Sequence, residues 1–150
     1  MKNPHILIVD DDTDLTSSMN LILTSRGYRT SVADNGAQAL DLLRKWCEQD
    51  ALPDLVLTDL KMPVMDGMEL MDQMKREEIP VRVAVATGHH DQNTLERLKR
   101  RDRPYILYKP FDTQEFLVFL QNIFLNEMKL EKDHVRFQDR KRSGGPQDES

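Results

Sequence analysis

Short apolar runs alternate with amphipathic stretches along most of the chain. Ile6-Leu7-Ile8-Val9 is a continuous apolar run, the pattern of a strand covered on both faces. Asp14 is placed to cap a helix in which Leu15, Met19, Ile22 and Leu23 recur at helical spacing, and Gly27 supplies its stop. Tyr28 to Ala33 mixes β-branched and polar residues, which predicts a strand near a sheet edge. Asn35-Gly36 marks a turn, and Ala37, Leu40, Leu43 and Trp46 begin a second helix that runs long, toward Asp50. Leu55-Val56-Leu57, after Pro53, predicts a third strand. Met62-Pro63 and Asp66-Gly67 then form a loop ahead of a helix carrying Leu70, Met71 and Met74. Val81 to Ala86 predicts a fourth strand, Thr94 to about Arg101 a polar helix, and Tyr105 to Tyr108 a fifth strand. Beyond Lys109-Pro110, the residues Phe116, Leu117, Leu120, Ile123 and Phe124 outline a long amphipathic helix.

The pattern is (βα)5, an α/β fold with a parallel sheet, helices on both faces and right-handed crossovers. Residues 1–125 make up this domain. From Asn126 to Ser150 six acids and six bases crowd together while apolar residues thin out. That composition predicts a fraying extension of the last helix and then a disordered tail or linker, with no second domain.

Charge and composition narrow the function classes. Lys and Arg total 21 against 26 Asp and Glu, a net charge of −5, so bulk charge does not hold this chain to nucleic acid. The longest apolar run, Phe116 to Leu120, is far too short for a membrane span. Three aspartates directly after Val9 do not suit a signal peptide, and the chain reads as cytoplasmic. A single cysteine, Cys47, excludes an intrachain disulfide and a cysteine metal cluster; its helical setting beside Trp46 predicts a half-buried thiol. There is no G-x-G-x-x-G or Walker A loop to cradle a nucleotide. His89-His90 lacks ligand partners at zinc spacing.

In an open α/β sheet, ligands bind at the carboxyl ends of the strands. Asp10, Asp11 and Asp12 follow the first strand, Asp59 ends the third, Thr87-Gly88 the fourth and Lys109 the fifth. Carboxylates held close together raise one another's pKa, and nothing in folding requires such a cluster. A hard divalent cation such as magnesium, which takes oxygen ligands and bridges carboxylates to phosphoryl oxygens, resolves the repulsion.

These residues carry a resemblance to the receiver domain of two-component response regulators. The matching pieces are Ile6 to Asp11, Pro53 to Asp59, Met62 to Gly67, Ala86-Thr87-Gly88 and Lys109-Pro110-Phe111, in family order over roughly residues 4 to 125. The resemblance implies a doubly wound three-layer sandwich with a flavodoxin-like strand order, 2-1-3-4-5. Asp59 matches the phosphoacceptor, whose carboxylate attacks a phosphohistidine on a histidine kinase or a phosphotransfer protein. Asp10 and Asp11 match the acidic pair that holds Mg2+, with Asp59 and the backbone carbonyl of Lys61 supplying further oxygens. Thr87 matches the hydroxyl that bonds the phosphoryl group, and Lys109 the lysine that pairs with it. Gly88 would keep the pocket open, Asp12 falls at a variable position, and the Lys109–Pro110 bond would be cis. The only catalysis implied is the domain's own phosphorylation and dephosphorylation, slowed where Lys61 and His89 flank the approach of water.

The sequence departs from the family pattern in three places. Ile106 stands where many receivers carry an inward-turning aromatic, with Tyr105 and Tyr108 nearby instead. Before the fifth strand, Arg97, Lys99, Arg100, Arg101 and Arg103 make a basic surface against Glu96 and Asp102. The long second helix is the third departure. Leu117, Phe119 and Met128 leave the last helix apolar on a second side, which predicts a homodimer or partner complex through helix four, strand five and helix five. Direct binding to nucleic acid or membrane is not expected. Two other function classes stay open. One is an interaction module that works without phosphorylation; the other is a magnesium-dependent phosphohydrolase, although Lys61 stands where its second acid belongs.

Overall fold

The computed structural model describes residues 3–88, 92–100 and 105–126. Two compact units divide the chain after Phe111. The first carries β1 (His5–Val9), α1 (Thr13–Ser25), β2 (Arg29–Ala33), α2 (Gly36–Glu48), β3 (Leu55–Thr58), α3 (Gly67–Arg76), β4 (Arg82–Thr87), α4 (Gln92–Lys99) and β5 (Tyr105–Tyr108). The second contains a fifth helix, α5, described over 113–126.

All strand pairs are parallel and the order is β2-β1-β3-β4-β5, as the resemblance implied. The order explains the strand compositions. β1 and β3 lie inside the sheet and are buried almost throughout, hence their unbroken apolar runs. β2 lies at an edge and keeps polar and exposed positions. Leu7, Val9, Ala33 and Val56 share one core with Ala39, Leu40 and Leu43 of α2 and Leu70 and Met74 of α3. Strand alternation turns Ile6, Ile8, Leu55 and Leu57 to the opposite face. α1 connects strands running the other way along the sheet, so a right-handed crossover places it on that face, where Met19 and Leu23 are buried.

Each of the first three helices starts on a side-chain cap. Asp12 accepts from the N–H of Leu15 at 3.1 Å, Asn35 from Gln38 at 3.0 Å and Asp66 from Glu69 at 2.8 Å. The cap of α1 is therefore Asp12 and not Asp14. Asp12 has the extended backbone that a cap needs, whereas Asp14 already lies in the first helical turn. Asp112 does the same for α5, accepting from Glu115 N–H at 2.7 Å. Along α5, Phe116, Leu120 and Ile123 are buried, Leu117 and Phe119 half-buried, and Val118 and Leu125 exposed. The expected tail from residue 127 onward lies outside the described residues, as do Arg101 and Arg103 of the basic surface.

The long second helix has a structural role at the amino end of the sheet. Trp46 meets the His5 ring edge-on with centroids 5.1 Å apart. His5 Nε2 also bonds Ser31 Oγ at 2.8 Å, and its backbone N–H donates to Asp54 Oδ2 at 2.8 Å. Arg44 grips Glu77, the C-cap of α3, with two bonds of 2.7 Å. Cys47, one residue on from Trp46, faces away and is exposed, contrary to the half-buried setting expected for it.

Candidate functional site

The sheet's hydrogen-bond ladder delivers the chemistry-bearing residues to its carboxyl end. Asp10 N–H donates to Ala33 O at 3.1 Å, Asp59 N–H to Val9 O at 2.9 Å and Lys109 N–H to Thr87 O at 2.9 Å. Asp10, Asp59 and Lys109 are thus fixed in backbone position by neighbouring strands, and Thr87 is the last residue of β4 itself.

Their side chains converge. Lys109 Nζ donates to Asp10 Oδ2 at 2.7 Å and to Asp59 Oδ2 at 3.1 Å. Asp10, Asp11 and Asp59 each bring an oxygen into a group whose members all lie within 4.8 Å of one another. Asp10, Asp59 and Thr87 are buried, while Asp11 opens to solvent. Three carboxylates against one ammonium leave two negative charges uncompensated, and the donors are hard oxygens. The set fits a divalent cation such as magnesium.

The electrostatics carry the strain of this arrangement. Burial pushes the Asp10 carboxyl above its ordinary value and the charge of Asp59 adds to it, against hydrogen bonds from Lys109 and from Asp12 N–H, the latter at 2.9 Å. Burial alone would lower Lys109. Its hydrogen bond to Asp10 and the charges of Asp59 and Asp10 outweigh that, and the ammonium is held above its ordinary value.

The peptide after Asp59 is gripped closely. Asp59 Oδ1 accepts from Leu60 N–H at 2.7 Å, Thr58 Oγ1 donates to Asp59 O at 2.8 Å, and Gly67 N–H donates to Leu60 O at 2.9 Å. A Cβ on Gly67 would lie 2.2 Å from the Asp59 carbonyl oxygen, so only glycine lets α3 start there. Gly88 is different. A Cβ there would come no nearer than 3.7 Å to Lys109 Cβ, an ordinary contact, so sterics do not require glycine to keep the pocket open.

Lys61 is exposed in the loop just beyond Asp59, and Lys109–Pro110 is cis. Ile106 is half-buried in a cluster with Leu60, Met68, Met71, Val85 and Leu98. Of the neighbouring tyrosines, Tyr105 lies under the Arg82 guanidinium at 5.8 Å and Tyr108 is exposed. His89 lies outside the described residues. Two contributors were not legible in the sequence. Asp12, read as falling at a variable position, both caps α1 and donates to Asp10. Leu60 has no polar side chain to draw notice, and it is its backbone N–H that holds the Asp59 carboxylate.

Residues 6–121 match the family model of the response regulator receiver domain. Sporulation initiation phosphotransferase F of Bacillus subtilis is 37% identical over 115 residues, which cover 77% of this chain and 89% of that protein. Regulatory protein AtoC of Escherichia coli is 33% identical over 133 residues, which cover 87% of this chain but only 28% of AtoC. Among solved structures, a CheY-like response regulator receiver domain protein from Methanospirillum hungatei aligns with a TM-score of 0.73 at 25% identity, over 85% of this chain and 98% of that one.

Proposed function

This chain belongs to the response regulator receiver domain family, and from that premise we propose that Asp59 is its phosphoacceptor. The observation that supports the reading is the pair of hydrogen bonds from Lys109 Nζ, at 2.7 Å to Asp10 and 3.1 Å to Asp59, beside the third carboxylate of Asp11. A phosphohistidine on a histidine kinase or phosphotransfer protein is the donor. A carboxylate oxygen of Asp59 attacks the phosphorus, an O–P bond forms, the N–P bond breaks, and the leaving imidazole nitrogen takes up the electron pair and then a proton. Phosphoryl transfer needs chiefly positioning and charge neutralisation from the protein. Lys109 supplies one positive charge to the phosphoryl oxygens, and the buried Thr87 hydroxyl serves as their hydrogen-bond donor. Asp10, Asp11, Asp59 and the Lys61 carbonyl would hold Mg2+, which supplies the remaining positive charge when bound.

The product is a switch and not a turnover catalyst: the acyl phosphate alters the surface of α4 and β5 for a partner. Exposed Val118 and Leu125 on α5 support self-association as one outcome, which sedimentation of the two states tests. We take residues 1–125 as the domain proper. No helix among the described residues is long and apolar enough to cross a membrane.

Intact-protein mass after incubation with acetyl phosphate and magnesium tests the assignment. The chain should gain one phosphoryl group, and Asp59→Asn should gain none. A variant that still gains it refutes Asp59 as the acceptor.

A further inference from the structure

We propose that Leu60 is the residue through which a change at Asp59 reaches the α4–β5 face, an inference that rests on Asp59 being the phosphoacceptor. The backbone of Leu60 is tied to the reacting carboxylate, since its N–H donates to Asp59 Oδ1 at 2.7 Å. That peptide has little slack. Gly67 N–H holds the Leu60 carbonyl at 2.9 Å, and Thr58 Oγ1 holds the Asp59 carbonyl at 2.8 Å.

The side chain of Leu60 points the other way, into packing. It is buried in a cluster with Met68 and Met71 of α3, Val85 of β4, Leu98 of α4 and Ile106 of β5. Leu98 is the one buried residue of α4 among those described, so this cluster is the seat of that helix. Among the described residues, no aromatic side chain belongs to the cluster. Ile106, stiff at χ1, occupies the β5 position within it.

Phosphorylation changes the bond at the head of this assembly. A carboxylate offers Leu60 N–H a charged acceptor, which makes for a short, strong hydrogen bond. An acyl phosphate turns one carboxylate oxygen into a bridging ester-type oxygen and the other into a neutral carbonyl, so the charge-assisted bond is lost whichever oxygen attacks. The Leu60 peptide then re-seats. Because interiors are close-packed, its side chain cannot shift without displacing the atoms around Leu98 and Ile106. The cluster thus has one arrangement set by the carboxylate and another set by the acyl phosphate.

Methyl NMR of Leu98 and Ile106, before and after acetyl phosphate with magnesium, tests this, with intact mass recorded on the same samples. The methyl response is expressed per mole of phosphoryl bound, so differences in the extent of modification do not enter. In the unaltered chain both methyl sets should move. Leu60→Val, one methylene shorter, should reduce the response by about threefold or more, the scale on which altering a packed network changes coupling. Leu60→Met, which keeps the reach, should restore it. A full response in Leu60→Val, or a response in Leu60→Met as weak as that of Leu60→Val, overturns the proposal while leaving Asp59 as acceptor. Absence of any mass gain in the unaltered chain overturns the parent reading and this one with it.

Discussion

The two ends of the sheet treat polar groups in opposite ways. At the amino end, His5, Ser31 and Asp54 are joined in pairs, the His5 ring is shielded by Trp46, and Arg44 is matched to Glu77 by a two-bond fork. Opposites meet there and the fold is stapled. At the carboxyl end, Asp10, Asp11 and Asp59 converge on a single ammonium, and burial holds Asp10 above its ordinary pKa. Like charges meet there and the fold is held under repulsion. A sheet can carry that repulsion only because the backbone of each pocket residue is tied into the strand ladder. One end of the molecule contributes stability, and the other spends some of it to hold together the carboxylates of the proposed phosphoacceptor pocket.

The steepest way to break the contrast is at Gly67. Adding a Cβ 2.2 Å from the Asp59 carbonyl should cost about 3 kcal/mol, the upper range for overpacking, and should also cut phosphoryl acceptance by displacing Asp59. Urea denaturation of Gly67→Ala with parallel mass analysis checks both, and a variant of unaltered midpoint would contradict the close approach.

A smaller effect of opposite sign sharpens the comparison. Asp59→Asn removes one of the converging carboxylates and leaves Lys109 paired with Asp10, so in magnesium-free buffer at neutral pH it should stabilise the fold by about 1 kcal/mol. A lower urea midpoint for this variant would mean that the pocket is not under repulsion.

The smallest effect belongs to the amino end and appears with pH. Burial, then the charge of Arg29, lower the His5 pKa below 6.5, against the opposing charge of Asp54. Below pH 6.5 the unfolded chain therefore binds a proton that the folded chain resists, and stability should decline as pH falls from there. His5→Gln should flatten that part of the profile, by well under 1 kcal/mol for a half-exposed ring. The same slope in both proteins would assign it to other groups. Trp46, the single tryptophan and a direct neighbour of His5, gives a fluorescence readout of the same event.

The carboxyl-end site was legible because its parts sit at strand ends, and strand ends can be read from apolar runs. Ile6 to Val9 and Leu55 to Leu57 locate Asp10 and Asp59 without any knowledge of how the strands pair. Thr87 and Lys109 follow in the same way, although β4 begins and ends one residue later than its pattern suggested. The amino-end staple was not legible. His5, Ser31 and Trp46 come from three separate elements and Asp54 from the loop before β3, and no spacing along the chain relates them. Asp12 escaped for a different reason. Three consecutive aspartates carry one signal, and only the backbone conformation shows which carboxylate faces the pocket and which caps the helix.

The bond between Lys109 and Asp10 joins residues 99 positions apart, and that between Lys109 and Asp59 spans 50. Synthesis proceeds from the amino end, so the acidic residues emerge from the ribosome long before the ammonium that gathers them. A nascent chain that has not yet reached β5 holds its carboxylates without their cation, and closing so long a loop comes late in assembly. Competence to receive a signal therefore arrives only with the last strand of the sheet, and a chain arrested before residue 109 cannot complete the pocket.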